Sequence, residues 1–457
     1  MSNASSAARG KVRPSLAREV GLFDATMVVM GGIVGSGIFI NPYVVAQQVH
    51  TPVLILGAWM FGGAIAIAGA FIWAELAATL PQVGGQYVYL REAYHPALGF
   101  LYGWVLLLVI QTGGMAAVTI TFAHYFIALT GMHAPAWLVG ATALSLLTLI
   151  NCLGVKTGGG AQSALMVMKI VAIAMLVVAG LALAGGHATV PIVAKRASSL
   201  ASFGAAMVPV LFAYGGWQTA NFIAAEVKQP ERNLPRALLI GVAGVIVLYT
   251  TVNWVCLRAL GAQDLAVTAT PATAVMRLAL GDRGATLIST AIAISTFGFL
   301  SQSILTAPRV YFAMAEDGLF FRAVARVNPR THVPILAIVL QSVWTIIIAL
   351  SGRYEQILNY VVSMDFLFFA LTASTLFVFR RRQQAETEQP IVRYRVPGHP
   401  ATTVVFVALC CWIVGNTIYH YPQNTLIGIG LLLAGIPVYR LWCRRTQVTD
   451  CEGQRNA

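Results

Sequence analysis

Five small residues stand within seven positions of a long apolar stretch near the start of the chain: Gly31, Gly32, Gly35, Ser36 and Gly37. Each glycine in a helix interior costs about 1 kcal/mol relative to alanine. Non-helical backbone at membrane depth is tolerated only where it faces protein or a water-filled cavity. The run therefore predicts that a membrane helix is broken here and that the break binds a small charged solute.

A second interruption lies near the middle of the chain. Pro209 and the pair Gly215–Gly216 fall inside another apolar segment, with Tyr214 and Trp217 on either side of the pair. Two interrupted hydrophobic segments at corresponding positions of two halves indicate a transporter binding site. Glycines that serve only close helix packing are the alternative explanation for either break alone. Two matched breaks favour the binding site.

The ends of a broken helix provide the chemistry for such a site, because their backbone groups have no intrahelical partner. Amide hydrogens at the start of the second half-helix suit a carboxylate, and here they belong to Ser36, Gly37 and Ile38. Carbonyl oxygens at the end of the first halves suit an ammonium group, and they belong to Ile33, Phe212, Ala213 and Gly215. A ligand that carries both groups on one carbon is an α-amino acid.

Two ionisable residues lie deep inside apolar segments. Lys169 is near the middle of one segment, where a lysine costs about 2.5–3.5 kcal/mol on insertion scales and is a functional hypothesis by default. Snorkelling to the interface is the alternative. Asp365 lies in a later segment, where it lines the pocket, serves as a gate or forms a polar link to a neighbouring helix. Glu75 and Glu226 lie near helix ends, and we expect both to form ion pairs.

Composition places the chain in the class of integral membrane proteins. Of its 457 residues, 58% are hydrophobic and 10% are charged, and the mean hydropathy is +0.75. A soluble domain has about 25% charged residues. We attribute the net charge of +13 to basic cytoplasmic loops, which fix the orientation of the chain in the membrane, and not to a nucleic-acid partner. The six cysteines show no metal-ligand spacing, so no metal or other cofactor is expected.

About 20 apolar residues are needed to cross the hydrocarbon, and by that criterion the chain has twelve segments. They run near 22–49, 53–80, 97–130, 134–153, 161–184, 203–225, 237–260, 284–313, 333–351, 355–379, 401–421 and 425–442. With the N-terminus cytoplasmic, 22 of the 29 basic residues fall on the inside, which predicts that both termini are cytoplasmic.

The predicted organisation is a single transporter domain, 21–446, between cytoplasmic tails at 1–20 and 447–457. Inverted repeats would span about 21–184 and 200–379, with two further helices at about 401–442. A polar stretch at 380–400 is read as a cytoplasmic linker. No Walker motif and no Ser/His/Asp constellation stand in the sequence, so neither ATP-driven transport by this chain alone nor an enzyme is expected.

Several motifs resemble the amino acid–polyamine–organocation superfamily, and within it the L-type amino acid transporter group. GSGIF at 35–39, followed by Pro42, is similar to the first-helix motif of that family. LFAYGGWQ at 211–218 is similar to its sixth-helix motif, and RNLP follows at 232–235. NCLGVK at 151–156 and PQVGGQYVYLREAY at 81–94 resemble its fourth-to-fifth-helix region and its first intracellular loop.

The resemblance implies an all-α membrane fold of twelve helices, a LeuT-like five-plus-five inverted repeat with helices 1 and 6 discontinuous. It implies sodium-independent amino acid transport, commonly by obligatory exchange. Carried over by position, Ser36 and Gly37 would hold the substrate carboxylate and Phe212 would act as a gate. Animal members bind a heavy chain through a cysteine in the loop between helices three and four. The loop 129–137 has none, so no disulfide-linked partner is expected, as in the bacterial inner-membrane members.

Related folds that use sodium place the ion between helices one and eight. We expect the ammonium of Lys169 to occupy that place, bonded to carbonyls near Gly31 or Gly32 and to the hydroxyl of Ser295 or Thr296. Such a fixed charge would remove the need for sodium. Proton coupling through Lys169 is a second reading.

The side-chain pocket is the least specified part of the site. Its candidate residues are Phe39, Tyr214, Trp217, Gln218, Asp365 and Phe366. Gln218 stands where many members of the family have asparagine. Because no carboxylate lies close to the second break, neutral amino acids are favoured. Cationic amino acids or polyamines, proton-coupled symport and a receptor that binds without transport remain alternatives.

Overall fold

A computed structural model of the protein describes residues 20–153, 159–183, 200–328, 331, 333–351, 354–385 and 394–455. The predicted tail 1–20 lies outside the described residues except for Val20. The same holds for 154–156 of the NCLGVK motif and for 386–393 of the predicted linker.

The described chain is built from sixteen α-helices. The first eight are α1 (Leu22–Ile33), α2 (Gly37–Gln48), α3 (Pro52–Thr79), α4 (Gln86–Ala93), α5 (Pro96–Val105), α6 (Gln111–Thr130), α7 (Ala136–Cys152) and α8 (Gly159–Ala182). The others are α9 (Leu200–Tyr214), α10 (Pro230–Leu265), α11 (Pro271–Thr306), α12 (Pro308–Glu316), α13 (Ile335–Ser351), α14 (Tyr354–Ala385), α15 (Ala401–His420) and α16 (Pro422–Arg455). A π-helical turn, Leu106–Ile110, joins α5 to α6, and 3-10 helices form at Trp217–Glu226 and Arg322–Ala325.

The helices confirm an all-α membrane protein. Nine helical stretches in the described ranges are long and apolar enough to cross a bilayer, and the apolar helices Ala136–Cys152 and Ile335–Leu350 are shorter. Each of the twelve predicted segments coincides with one or more of the helices. The β pairing recorded between described residues is an isolated parallel bridge between Val20 and Val227.

Several helices extend beyond the apolar stretches that predicted them. α10 begins at Pro230 rather than at 237, and α14 continues to Ala385, into the predicted linker. α4 lies within the loop between the second and third predicted segments. Hydropathy registers only the part of a helix that lipid or core surrounds, so polar turns at its ends are missed.

The helices of the first broken segment lie at the centre of the molecule. In α1, every residue from Ala25 to Ile33 is buried, and α1 packs mainly against α10, α8 and the 3-10 helix Trp217–Glu226. α2 packs mainly against α9. A helix that is apolar and buried all round belongs in a core rather than at the lipid surface. The broken segments are therefore surrounded by the unbroken helices.

Ion pairs connect the helix ends on the side of the predicted intracellular loops. Glu75 pairs with Arg380 at 2.7 Å, and Glu226 pairs with Arg309 at 2.7 Å, which confirms the pairing expected for both acids. In the loop helix α4, the Tyr87 hydroxyl donates to Asp317 at 2.6 Å. Burial, and then this bond, raise the pKa of Tyr87 far above its ordinary value. These contacts hold that side of the bundle together.

Candidate substrate-binding site

The two breaks meet backbone to backbone. A Cβ added to Gly216 would lie 2.1 Å from the carbonyl oxygen of Gly32, and one added to Gly37 would lie 2.8 Å from the Cα of Ala213. Only glycine allows either approach. The two explanations that the sequence offered, helix breaks and close packing, therefore apply to the same residues.

A cavity of about 80 Å³ lies where the breaks meet. Its wall includes Ile33, Ser36 and Gly37 from the first break and Phe212, Ala213, Gly215, Gly216 and Gln218 from the second. Helices α6, α11 and α14, each continuous where it lines the cavity, complete it. A cavity needs on the order of 10–15 Å³ to hold one water, so this one has room for a small solute.

The start of α2 presents unpaired donors to this cavity. Ser36 is fully buried, and its hydroxyl has no hydrogen-bond partner among the described residues. Gly37 and Ile38 occupy the first turn of α2, whose N–H groups have no intrahelical acceptor. The Ile38 side chain is buried outside the cavity wall, so its backbone is what this residue can offer.

The backbone carbonyls predicted to bind an ammonium group lie opposite. A tyrosine that the sequence analysis did not single out reaches two of them. The hydroxyl of Tyr249 in α10 lies 3.1 Å from the Ile33 carbonyl and 3.2 Å from the Ala213 carbonyl, with both in hydrogen-bonding range. The Ile33 carbonyl also accepts from the Gly35 N–H at 2.9 Å, so both its lone pairs are engaged. The carbonyls of Phe212 and Ala213 retain capacity for a further donor.

At the second break, the polar backbone groups of Gly216 are bonded by the side chains that follow it. The Gly216 N–H donates to the Gln218 side-chain oxygen at 3.1 Å, and the Thr219 hydroxyl donates to the Gly216 carbonyl at 2.8 Å. Gln218 therefore lines the cavity as predicted but uses its oxygen to cap the backbone.

Lys169 is buried beside the first break, with 4% of its surface exposed. Its Nζ donates to the Val34 carbonyl at 3.0 Å and lies 6.0 Å from the centre of the Phe299 ring. Gly31 and Gly32 themselves are not its partners, and the carbonyl that it bonds lies two residues beyond Gly32. Both still belong to α1, whereas Val34 has left the helix with ψ of 83° and turns its carbonyl toward the lysine.

The hydroxyl partners predicted for Lys169 are wrong. The Ser295 hydroxyl has no hydrogen-bond partner in the described part of the chain. The Thr296 hydroxyl donates within its own helix, to the carbonyls of Ile292 and Ala293. In a helix, a threonine hydroxyl reaches a carbonyl three or four residues earlier more readily than a remote group.

A different residue links α1 to α11. Gln302 donates from Nε2 to the Val28 carbonyl at 2.8 Å. Its Oε1 lies 2.5 Å from where a Cβ on Gly31 would be, so Gly31 makes room for this side chain. The link expected from a lysine is thus provided by a buried amide.

Three of the predicted pocket aromatics point away from the cavity. Phe39, Tyr214 and Trp217 are buried at 2%, 0% and 0% exposure but form no part of its wall. Tyr214 packs against Trp59 and Tyr249, and Trp217 packs against Trp73 and Phe369. The prediction was wrong because successive side chains around a break point in different directions, and only some face the cavity.

Other predicted pocket residues do reach the cavity. Phe366 and Asp365 of α14 line it, and so does Phe212, whose ring meets that of Tyr354 at 6.3 Å. Phe212 therefore lies between the cavity and the start of α14. Of the predicted sodium-surrogate residues, Gly32 lines the wall, while Lys169 stands behind it.

Sequence reasoning missed most of the wall that the unbroken helices contribute. These residues are Ile110, Gln111, Gly114 and Val118 of the α6 region, Phe299, Gln302, Ser303 and Thr306 of α11, and Val361 and Val362 of α14; Thr219 of the second break was missed too. One local signal exists in the structure, since π-helical turns are frequent at functional sites and Leu106–Ile110 ends immediately before Gln111.

Comparison with known proteins identifies the family of the chain. The family described as amino acid permease matches residues 20–434. A serine/threonine exchanger, SteT, of Bacillus subtilis is 32% identical over 93% of this chain and 96% of its own length. The human large neutral amino acids transporter small subunit 2 is 28% identical over 93% and 81%. The human cystine/glutamate transporter is 27% identical over 95% and 87%.

The match extends over both breaks and over every helix that lines the cavity. It is also nearly complete along the bacterial relative. The chain belongs to the amino acid permease family of the amino acid–polyamine–organocation superfamily, and it resembles the L-type group within it.

Proposed function

We propose that this permease exchanges neutral L-amino acids across the bacterial inner membrane by alternating access, without sodium. The observation that carries the proposal is the cavity between the breaks, where unpaired donors at the start of α2 face the carbonyl end of α9. Such an arrangement complements the two charged groups of an α-amino acid.

In the proposed binding mode, the substrate carboxylate accepts hydrogen bonds from the Ser36 hydroxyl and from the N–H groups of Gly37 and Ile38. The positive end of the α2 dipole favours the same charge. The α-ammonium donates to the carbonyls of Phe212, Ala213 and Gly215. The Ile33 carbonyl joins them when Tyr249 turns away, because it is otherwise fully engaged.

Lys169 takes the part that a sodium ion plays in related folds. Its ammonium is a fixed positive charge at the Val34 carbonyl, immediately before the donors of Ser36 and Gly37. It thus holds the end of α1 in the conformation that opens the first turn of α2. This is why we expect no dependence on sodium.

Alternating access would use twelve membrane helices, with two inverted repeats at about 21–184 and 200–379 and both termini in the cytoplasm. Phe212 would close the cavity on the side where its ring meets Tyr354. The ion pairs of Glu75 and Glu226 would close the opposite side. The loop between α6 and α7 has no cysteine, so a disulfide-linked heavy chain is not part of the proposal.

The substrate class is supported by the names of two relatives, a serine/threonine exchanger and a large neutral amino acids transporter. Asp365 favours a second candidate, a cationic amino acid or a polyamine, because it brings a carboxylate to the cavity wall.

The purified chain in liposomes tests the proposal directly. Vesicles preloaded with each amino acid in turn would be given labelled serine outside, with and without sodium and a pH gradient. We expect uptake only when a neutral amino acid is inside, at rates independent of sodium. Uptake into empty vesicles driven by the pH gradient would replace exchange with proton-coupled symport. Saturable binding without any uptake would indicate a receptor.

A further inference from the structure

Asp365 is the one acidic or basic residue among the described residues that line the cavity. It is 8% exposed, and its Oδ1 has no hydrogen-bond partner in the described part of the chain. A buried carboxylate without a partner is costly, and such groups are normally paired or fully hydrogen-bonded. In this cavity the missing partner has to come from whatever fills it.

Asp365 lies beside the backbone of the second break. A Cβ placed on Gly215 would lie 3.9 Å from Asp365 Oδ2, and 3.4 Å and 3.5 Å from the carbonyl oxygens of Phe212 and Leu211. The nearest buried lysine, Lys169, donates to the Val34 carbonyl at the other break. The Leu211 and Phe212 carbonyls accept from the Gly215 N–H at 2.9 Å and 3.3 Å, whereas Asp365 Oδ1 has no partner in the described residues, so an N–H or O–H group of a ligand would satisfy that oxygen.

The position of Asp365 distinguishes it from the groups that bind the amino acid core. The core is bound by backbone at the two breaks, whereas α14 is unbroken where it lines the cavity and offers side chains there. Val361, Val362 and Phe366 of the same helix make the rest of that wall apolar. One acceptor in an otherwise apolar wall is the arrangement that selects one polar feature of a substrate.

We infer that Asp365 accepts a hydrogen bond from a donor on the substrate side chain, a hydroxyl or an ammonium group, and so selects such amino acids over aliphatic ones of the same size. The inference rests on the proposed function. An aliphatic side chain would leave the carboxylate buried and unpaired, and sites built to bond a polar group reject analogues that lack it.

Three pairs of matched competitors test this selection in proteoliposomes that exchange labelled serine. Each pair sets a donor against a methyl group in a side chain of the same size: serine and 2-aminobutyrate, threonine and valine, and 2,4-diaminobutyrate and norvaline. In the wild type we expect the donor-bearing member of a pair to compete at about tenfold lower concentration than its partner. This preference should appear in the two hydroxyl pairs, in the ammonium pair or in all three. The pairs that show it identify the donor as hydroxyl or ammonium.

Two variants attribute the preference to Asp365. Asp365→Leu removes the acceptor and should bring every ratio to about one. Asp365→Asn keeps an oxygen acceptor but no charge, so it should retain a hydroxyl preference and lose an ammonium preference. Asp282→Asn changes an acid whose side chain is 93% exposed and should leave all ratios as in the wild type. Thermal unfolding of each purified variant checks that it is folded.

Flat ratios in the wild type would overturn the inference, and they need no variant to be measured. Equal weakening of both members of every pair by Asp365→Leu would overturn it too, by assigning Asp365 to the amino group or to proton transfer. Failure of the proposed function looks different, because then no amino acid inside the vesicles supports serine uptake at all.

Discussion

The two breaks that form the site are made differently. The first is an inverse γ-turn: Val34 has φ of −77° and ψ of 83°, and the Gly35 N–H bonds the Ile33 carbonyl. The second depends on Gly216, whose φ of +107° few other residues adopt, and it continues as a 3-10 helix. The glycines of the first break make room for neighbours, whereas Gly216 also sets the backbone direction.

The breaks also differ in which polar groups they leave for a ligand. At the first, the Ser36 hydroxyl has no partner among the described residues, and the N–H groups of Gly37 and Ile38 have no intrahelical acceptor. At the second, Gln218 and Thr219 bond both polar groups of Gly216. The second break thus satisfies its own far side and offers only the carbonyls that precede it. In the proposed binding mode, the donors therefore come from the first break and all acceptors except the Ile33 carbonyl come from the second.

Gly216→Ala should have the largest effect, because it attacks both uses of glycine at the second break. A methyl group there would overlap the Gly32 carbonyl, which is backbone and cannot move aside as a side chain would. The left-handed conformation adds about 1–2 kcal/mol. We expect loss of measurable exchange in proteoliposomes and a lower melting temperature.

Two controls separate the contact from the conformation. Gly261 also has a positive φ, of +74°, but a Cβ there has open space, so Gly261→Ala carries the strain without the clash. Gly215→Ala adds a methyl to the cavity wall at ordinary contact distances. Equal losses for Gly216→Ala and Gly261→Ala would show that the meeting of the two breaks does not matter.

Lys169→Ala should rank second, through the first break alone. It removes the charged donor of the Val34 carbonyl, a bond worth about 1.5–3 kcal/mol, so exchange should fall by about tenfold or more. Thermal unfolding should change little by comparison, because removing a buried lysine also removes its desolvation cost. Exchange at the wild-type rate in a folded Lys169→Ala protein would contradict the proposed role in holding the end of α1.

The existence of both breaks could be predicted from the sequence, because glycines in an apolar helix conflict with local propensity and so mark a functional exception. The partners of the breaks could not. Whether Lys169 bonds the carbonyl of Gly31 or that of Val34 depends on where α1 ends, and the two positions are less than one helical turn apart. Tyr249 and Gln302 stand among other polar residues of long helices, and only tertiary packing shows that these two reach Ile33 and Val28.

The direction in which each side chain points could not be predicted either. Trp217 and Gln218 are neighbours in sequence, yet the indole packs into the core and the amide lines the cavity. Residue type indicates that a large aromatic side chain is buried, but not on which side of a break. The location of Asp365 was easier to predict, because a carboxylate in an apolar helix has few favourable places besides a cavity or an ion pair.

Ser36→Ala tests the donor side of the comparison with a smaller expected effect. The hydroxyl has no partner among the described residues, so its loss should leave thermal stability unchanged or slightly higher. A hydrogen bond to a carboxylate is worth about 1.5 kcal/mol or more, so the half-saturating serine concentration should rise about tenfold. Thr219→Val is the matched change at the second break, where the bond to Gly216 is internal. It should lower the melting temperature more than Ser36→Ala does, and the reverse order would contradict the division of roles.

Phe212→Ala should have the smallest effect on binding, because the acceptor that Phe212 offers is its backbone carbonyl, which alanine keeps. What alanine removes is the ring that meets Tyr354, and an aromatic pair of this kind is worth about 0.5–1.5 kcal/mol. If the ring is a gate, preloaded vesicles should leak labelled serine when no amino acid is outside. The half-saturating serine concentration should rise only a few-fold, which corresponds to about that energy. Phe212→Leu keeps apolar bulk at the same place and should restore most of the coupling between influx and efflux. An unchanged leak in Phe212→Ala, together with a large rise in half-saturation, would assign the ring to the substrate itself, and the second break would then recognise its ligand by side chain as well as by backbone.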